Sequence, residues 1–161
     1  MLRIVQAENA EDVAAARDLF VAYADDLGIS LCFQGFEREL AGMPGAYGPP
    51  SGRPLLARCE AQVDGCVALR DLDGVTCEMK RLYVCPAFRG RGIGRALADA
   101  IVDQARQLGY RAMRLDTLRT MPEDIALYRA LGFVEIAPYC HNPIPGALFF
   151  ERWLVDDGRP S

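Results

Sequence analysis

Residues 78–97, EMKRLYVCPAFRGRGIGRAL, constrain the fold more than any other stretch. A β-type run leads through a short loop into a glycine-rich turn. The turn opens a helix that carries Ile93, Leu97, Ile101, Ala105 and Leu108 on one face. A strand feeding a helix in this way belongs to α/β architecture. Amides at a helix start lack intrahelical partners and sit at the positive end of its dipole, so they attract anions. Glycine removes the Cβ that would hold a phosphate away from the backbone. Gly90, Gly92 and Gly94, interleaved with Arg89, Arg91 and Arg95, therefore predict a diphosphate cradle. The plainer alternative is a glycine-rich helix entry with solvated arginines.

Known phosphate motifs narrow the ligand. The chain has no G-x-x-x-x-G-K-[ST] stretch. A dinucleotide fingerprint requires G-x-G-x-x-G/A; counted from Gly90 it ends on Arg95, and from Gly92 on Leu97. Asp116, at the end of the next strand, mimics the ribose-binding acid of that fold, which leaves a nicotinamide ligand as a rival.

At 161 residues the chain is long enough for one domain with a sizeable core, expected over 1–155 with a tail at 156–161. The net charge of −4 argues against nucleic acid or an anionic membrane surface as partner. No apolar run reaches eighteen residues and the start lacks a signal pattern, so a soluble, cytoplasmic protein is expected. Cys32, Cys59, Cys66, Cys77, Cys85 and Cys140 form no C-x-x-C pair, and His141 is the sole histidine. Reduced, packed thiols and no metal site are expected.

Along the chain, 2–5 predicts a strand, and Asn9 caps a helix that Gly28 ends. A helical turn at 36–40 and a Gly/Pro-rich loop at 43–52 follow. Strands at 55–62, 66–71 and 75–84, separated by Asp64-Gly65 and Asp73-Gly74, predict an antiparallel meander with both dipeptides in the turns. Beyond the 93–108 helix come a strand at 110–116, a helix opened by Pro122, and strands at 133–137 and 147–154.

Three motifs in order resemble the GNAT-type N-acetyltransferases. Arg89-Gly90-Arg91-Gly92-Ile93-Gly94 matches R/Q-x-x-G-x-G/A. Glu78 with Leu82-Tyr83-Val84 matches the preceding strand, and Tyr128 with Gly132-Phe133 matches Y-x-x-x-G-F. The resemblance implies a single-domain GNAT-like fold, with a mixed central sheet, splayed parallel strands around the cofactor and helices on both faces. It implies acetyl-CoA as cosubstrate, its diphosphate on the amides of 89–94 beside Arg95, and its pantetheine arm along Leu82, Tyr83 and Val84. The Val84 N–H would face the thioester carbonyl. Tyr128 is the candidate acid and Glu78 the candidate base. A core tyrosine, and a strand glutamate paired with Lys80 or Arg81, are the structural alternatives. The family often carries Asn seven residues before the tyrosine, where this chain has Met121.

Cys85 invites an acyl-cysteine route, but nothing beside it in sequence except a helix start and Arg89 would activate its thiol, so direct transfer is expected. Phe33, Gln34, Arg119 and Tyr139 are the candidate acceptor contacts. They suit a small-molecule amine such as an amino acid or polyamine. A protein lysine or N-terminus, and a non-catalytic acyl-CoA-binding module, are the alternatives. Monomer and homodimer are both open.

Overall fold

A computed structural model of the chain describes residues 1–28 and 35–155. One seven-stranded mixed sheet has the order β1-β2-β3-β4-β5-β7-β6. Strands β1 (Leu2–Gln6), β2 (Arg53–Cys59), β3 (Gln62–Asp71) and β4 (Thr76–Val84) run as an antiparallel meander. Helix α3 (Ile93–Gln107) crosses from β4 to its parallel neighbour β5 (Ala112–Leu118). Strand β7 (Ala147–Trp153) inserts antiparallel between β5 and β6 (Val134–Ile136). Helices α1 (Ala10–Leu27) and α2 (Phe36–Ala41) precede β2, and α4 (Pro122–Ala130) joins β5 to β6.

Side-chain alternation along the strands supplies two cores. On one face Leu55, Ala57, Val67 and Leu69 pack with Leu97, Ile101 and Ala105 of α3 and with Tyr128 and Phe150. On the other, Leu56, Cys66 and Ala68 pack with Ala16, Leu19 and Phe20 of α1. The sheet thus has helices on both faces, as expected.

One predicted turn lies elsewhere. The β2–β3 hairpin turns around Glu60, whose φ is 59°, while Asp64-Gly65 sits inside β3. The register against β2 shifts there, from Gly65 opposite Ala57 to Val63 opposite Arg58, so Asp64 is the extra residue of a bulge. Gly65 serves close approach instead of a turn: a Cβ on it would lie 2.6 Å from the Tyr83 carbonyl oxygen. Asp73-Gly74 does make its turn, with the Asp73 side chain accepting from the amides of Val75 and Thr76.

The feature that makes room for a ligand is in β4. Its pairing with β5 covers only Thr76–Glu78 against Ala112, Met113 and Arg114. Further along, Cys66 faces Tyr83 but Ala68 faces Lys80, which leaves one extra residue in β4. Arg81 takes the left-handed conformation, with φ 61°. A bulge bends its strand and disrupts the ladder, and here it falls where the two parallel strands part.

Candidate active site

A cavity of about 560 Å³ opens at the parted strands. Leu82 and Val84 of β4 border it, Gly90, Gly92 and Gly94 lie before and within the start of α3, and Met121, just before α4, and Asp124, in its first turn, border it too. Tyr23 and Asp26 of α1 complete the wall. Gly90 and Gly92 have φ values of 81° and 79°, a conformation that side-chain-bearing residues rarely adopt. A Cβ built on either meets no protein atom within 4 Å, so the space before this backbone is open. Gly92 precedes α3 with no side-chain cap, which leaves the first-turn amides free to take an anion.

The arginines divide. Arg89 borders the cavity, but its Nε donates to the Val84 carbonyl at 2.9 Å and its guanidinium pairs with Asp26 at 2.9 Å. Arg89 and the Tyr83 hydroxyl, both bonded to Asp26, hold that carboxyl below the usual carboxylate range. Arg91 stacks over Phe88, and Arg95 is exposed beside Asp99. Neither lines the cavity, whereas Leu82, Tyr83, Val84 and Ile93 do.

A smaller cavity of about 30 Å³ adjoins the first, lined in part by Lys80, Arg81, Asp116 and Tyr128. Tyr23, Leu82, Met121 and Asp124 border both. Tyr128 is buried, with Phe133 and Phe150 at ring-centroid distances of 6.0 and 6.5 Å. Burial, then the charge of Asp124, pushes its phenol well above the ordinary value, so it stays protonated. Asp116 accepts from Asn142 Nδ2 at 3.0 Å and lies 3.7 Å from Lys80 Nζ.

Glu78 lines neither cavity. It is 1% exposed, and both oxygens are engaged: Oε1 by Arg70 Nε at 2.8 Å and Oε2 by the Tyr139 hydroxyl at 2.6 Å. The partner is thus Arg70, directly opposite on β3, while Lys80 and Arg81 of its own strand pair with Asp116 and Glu39. Tyr139 also packs on Phe149 and under Arg114. Arg119 is exposed beyond β5, and neither it nor Tyr139 lines either cavity; Phe33 and Gln34 lie outside the described residues. His141 is exposed.

Sequence reasoning missed Tyr23, Asp26, Arg70 and Asp124 as members of this neighbourhood. Asp124 carried a signal, since an acid in a first helical turn is ordinary dipole chemistry, but that signal did not point to a cavity. Tyr23 followed the apolar stripe of α1 and gave none.

The family model described as the acetyltransferase (GNAT) family matches residues 10–133. An uncharacterised N-acetyltransferase of Schizosaccharomyces pombe is 41% identical over 141 residues, 86% of each chain. The chain belongs to the GNAT acetyltransferase family. This GNAT protein is also 41% identical over 107 residues to an IAA acetyltransferase of Azospirillum brasilense, covering 65% of this chain and 70% of that protein. In fold it is similar to a GNAT family acetyltransferase of Elizabethkingia anophelis solved with acetyl-CoA bound. That likeness has a TM-score of 0.70 at 19% identity and covers 94% of this chain and 97% of the other.

Proposed function

We propose that this GNAT enzyme moves an acetyl group from acetyl-CoA to the primary amine of a small molecule by direct attack. One observation carries the reading. Two left-handed glycines with open space before them precede an uncapped helix, and their cavity adjoins the one that Tyr128 lines.

These residues fit the cofactor. The amides of residues 90–94 would bind its diphosphate, and Leu82 and Val84 would flank its arm. When bound, acetyl-CoA supplies an activated acyl carbon. The Val84 N–H is assigned to the charge that develops on the acyl oxygen. Tyr128, kept protonated by burial, would give a proton to the departing sulfur. Asp26 and Val84 already engage Arg89, so its guanidinium stiffens the loop and the main chain does the phosphate binding.

Direct attack is favoured because Cys85 has no activated thiol: burial, then Asp64, pushes it up. A small acceptor is supported by the printed name of the Azospirillum relative. Glu123 and Asp124 on the wall, beside an Asp26 that Arg89 neutralises, favour an acceptor that carries a cation, such as an amino acid's ammonium or a polyamine. Thiol release from acetyl-CoA should be followed across amino acids, polyamines, aminoglycosides and peptides. Release with a small amine is expected. Tight acetyl-CoA binding with no release from any amine would leave a binding module and no enzyme.

A further inference from the structure

Attack by an amine needs a free lone pair, and amines reach the protein mostly as ammonium ions at neutral pH. A group must take that proton, and Glu78 is badly placed to do so. Both of its oxygens are bonded and it borders neither cavity. Asp116 borders the small cavity but is held by Asn142 and Lys80. Asp124 differs from both. It borders the large and the small cavity alike, one helical turn before Tyr128. It makes no hydrogen bond or ion pair to another described residue. Its half-buried carboxylate, steadied by the start of α4, is therefore open to a cation that enters either cavity.

We propose that Asp124, and not Glu78, takes the proton that the acceptor ammonium must lose before its nitrogen attacks. The assignment rests on the acetyl-transfer reading and adds a residue to it. Asp124 accepts one proton from nitrogen. As the carbon–nitrogen bond forms and the carbon–sulfur bond breaks, sulfur leaves with the electron pair and takes a proton from Tyr128. The second nitrogen proton, acidified by the new bond to the acyl carbon, restores the Tyr128 phenol, and Asp124 gives its own proton to water, so amine cation and thioester yield amide, thiol and one released proton.

The surroundings tune this carboxyl. Charged or titratable groups border the same cavities from each neighbouring element: Tyr23 and Asp26 from α1, Lys80 and Arg81 from β4, Arg89 from the loop before α3, and Asp116 from β5. Glu123 and Tyr128 do so from α4 itself. Burial raises the carboxyl above its ordinary range, with Arg89 opposing and Glu123 adding to the effect. A base must be unprotonated, so the rate falls as pH drops through this raised value, and the acid limb lies higher than for an ordinary aspartate.

Ethylamine and trifluoroethylamine test the assignment, since they are close in shape but only the first is protonated at neutral pH. In Asp124→Asn, turnover of ethylamine should fall about 100-fold, while trifluoroethylamine loses less than about threefold and the acid limb disappears. Glu78→Gln should keep the acid limb. In the cofactor-free protein, carboxyl NMR should find Asp124 titrating above the ordinary aspartate range. Equal losses for both amines, or none, would overturn the assignment. So would a tenfold loss of coenzyme A affinity by calorimetry in Asp124→Asn with both amines affected alike, which would give the carboxylate to the cofactor arm. A wild-type protein that binds no acetyl-CoA would remove the underlying transfer reading instead.

Discussion

Tyr128 is held by aromatic neighbours on two sides and bonds no other described residue through its hydroxyl. Packing fixes the ring, and the polar end is left for the small cavity. Tyr128→Phe keeps the ring and its burial, so the fold and coenzyme A affinity should stay within about twofold of wild type. Turnover should fall by about 10²-fold or more if the phenol supplies a proton. Steady-state kinetics beside calorimetry separates the two. Because burial moves the phenol upward from 10.0, no alkaline loss below that value should trace to this residue. At this scale the sequence was uneven. Tyr128 was legible through its spacing to Gly132-Phe133. Asp124 was not, because an acid at a helix start has a sufficient local reason and only the tertiary arrangement adds another. The pairing of Glu78 with Arg70 depends on cross-strand register, which one strand's pattern leaves undetermined.

Helix α3 serves two ends of the molecule at once. Ile93, Leu97, Ala98, Ile101, Val102 and Ala105 bury one face against the sheet, and that anchoring fixes where the uncapped N-terminus points. Gly92→Val tests the terminus. A β-branched residue at φ 79° is strained by about 1–2 kcal/mol, and its side chain would enter the open space before the amides. Coenzyme A affinity should drop at least tenfold by calorimetry, about 1.4 kcal/mol, with circular dichroism unchanged. The strand–turn–helix element was readable because glycine spacing and helical periodicity are both local. Asp64-Gly65 misled for the same reason. The dipeptide suits a hairpin turn, yet the close approach of β4 claims Gly65 for the inside of a strand.

Across the whole molecule, the bulge of β4 is tied to the opposite layer. The Arg81 side chain is 2% exposed, bonds Glu39 of α2 through Nε at 3.0 Å and through a terminal nitrogen at 2.9 Å, and stacks near Tyr23 and Phe36. Tyr47 donates to the same carboxylate at 2.9 Å. This network holds a left-handed arginine where the parallel strands part, so strain at the gap is offset by contacts from α1 and α2. Glu39→Ala strands a buried guanidinium and should cost about 3–5 kcal/mol in urea unfolding. Cost below about 1 kcal/mol would mean that the bulge stands without it. The antiparallel meander and the crossover helix after it were readable from element order, since parallel neighbours need a long connection, but the insertion of β7 between β5 and β6 was not. The bulge itself left no mark in the sequence: nothing local predicts a positive φ at an arginine. The central claim is that main-chain amides at the start of α3 bind a diphosphate. Calorimetry of wild-type protein with coenzyme A and with pantetheine, which shares the arm but lacks the diphosphate and the nucleotide beyond it, tests this. Pantetheine should bind at least about 100-fold more weakly, a difference near 2.7 kcal/mol, and equal affinities would contradict the account.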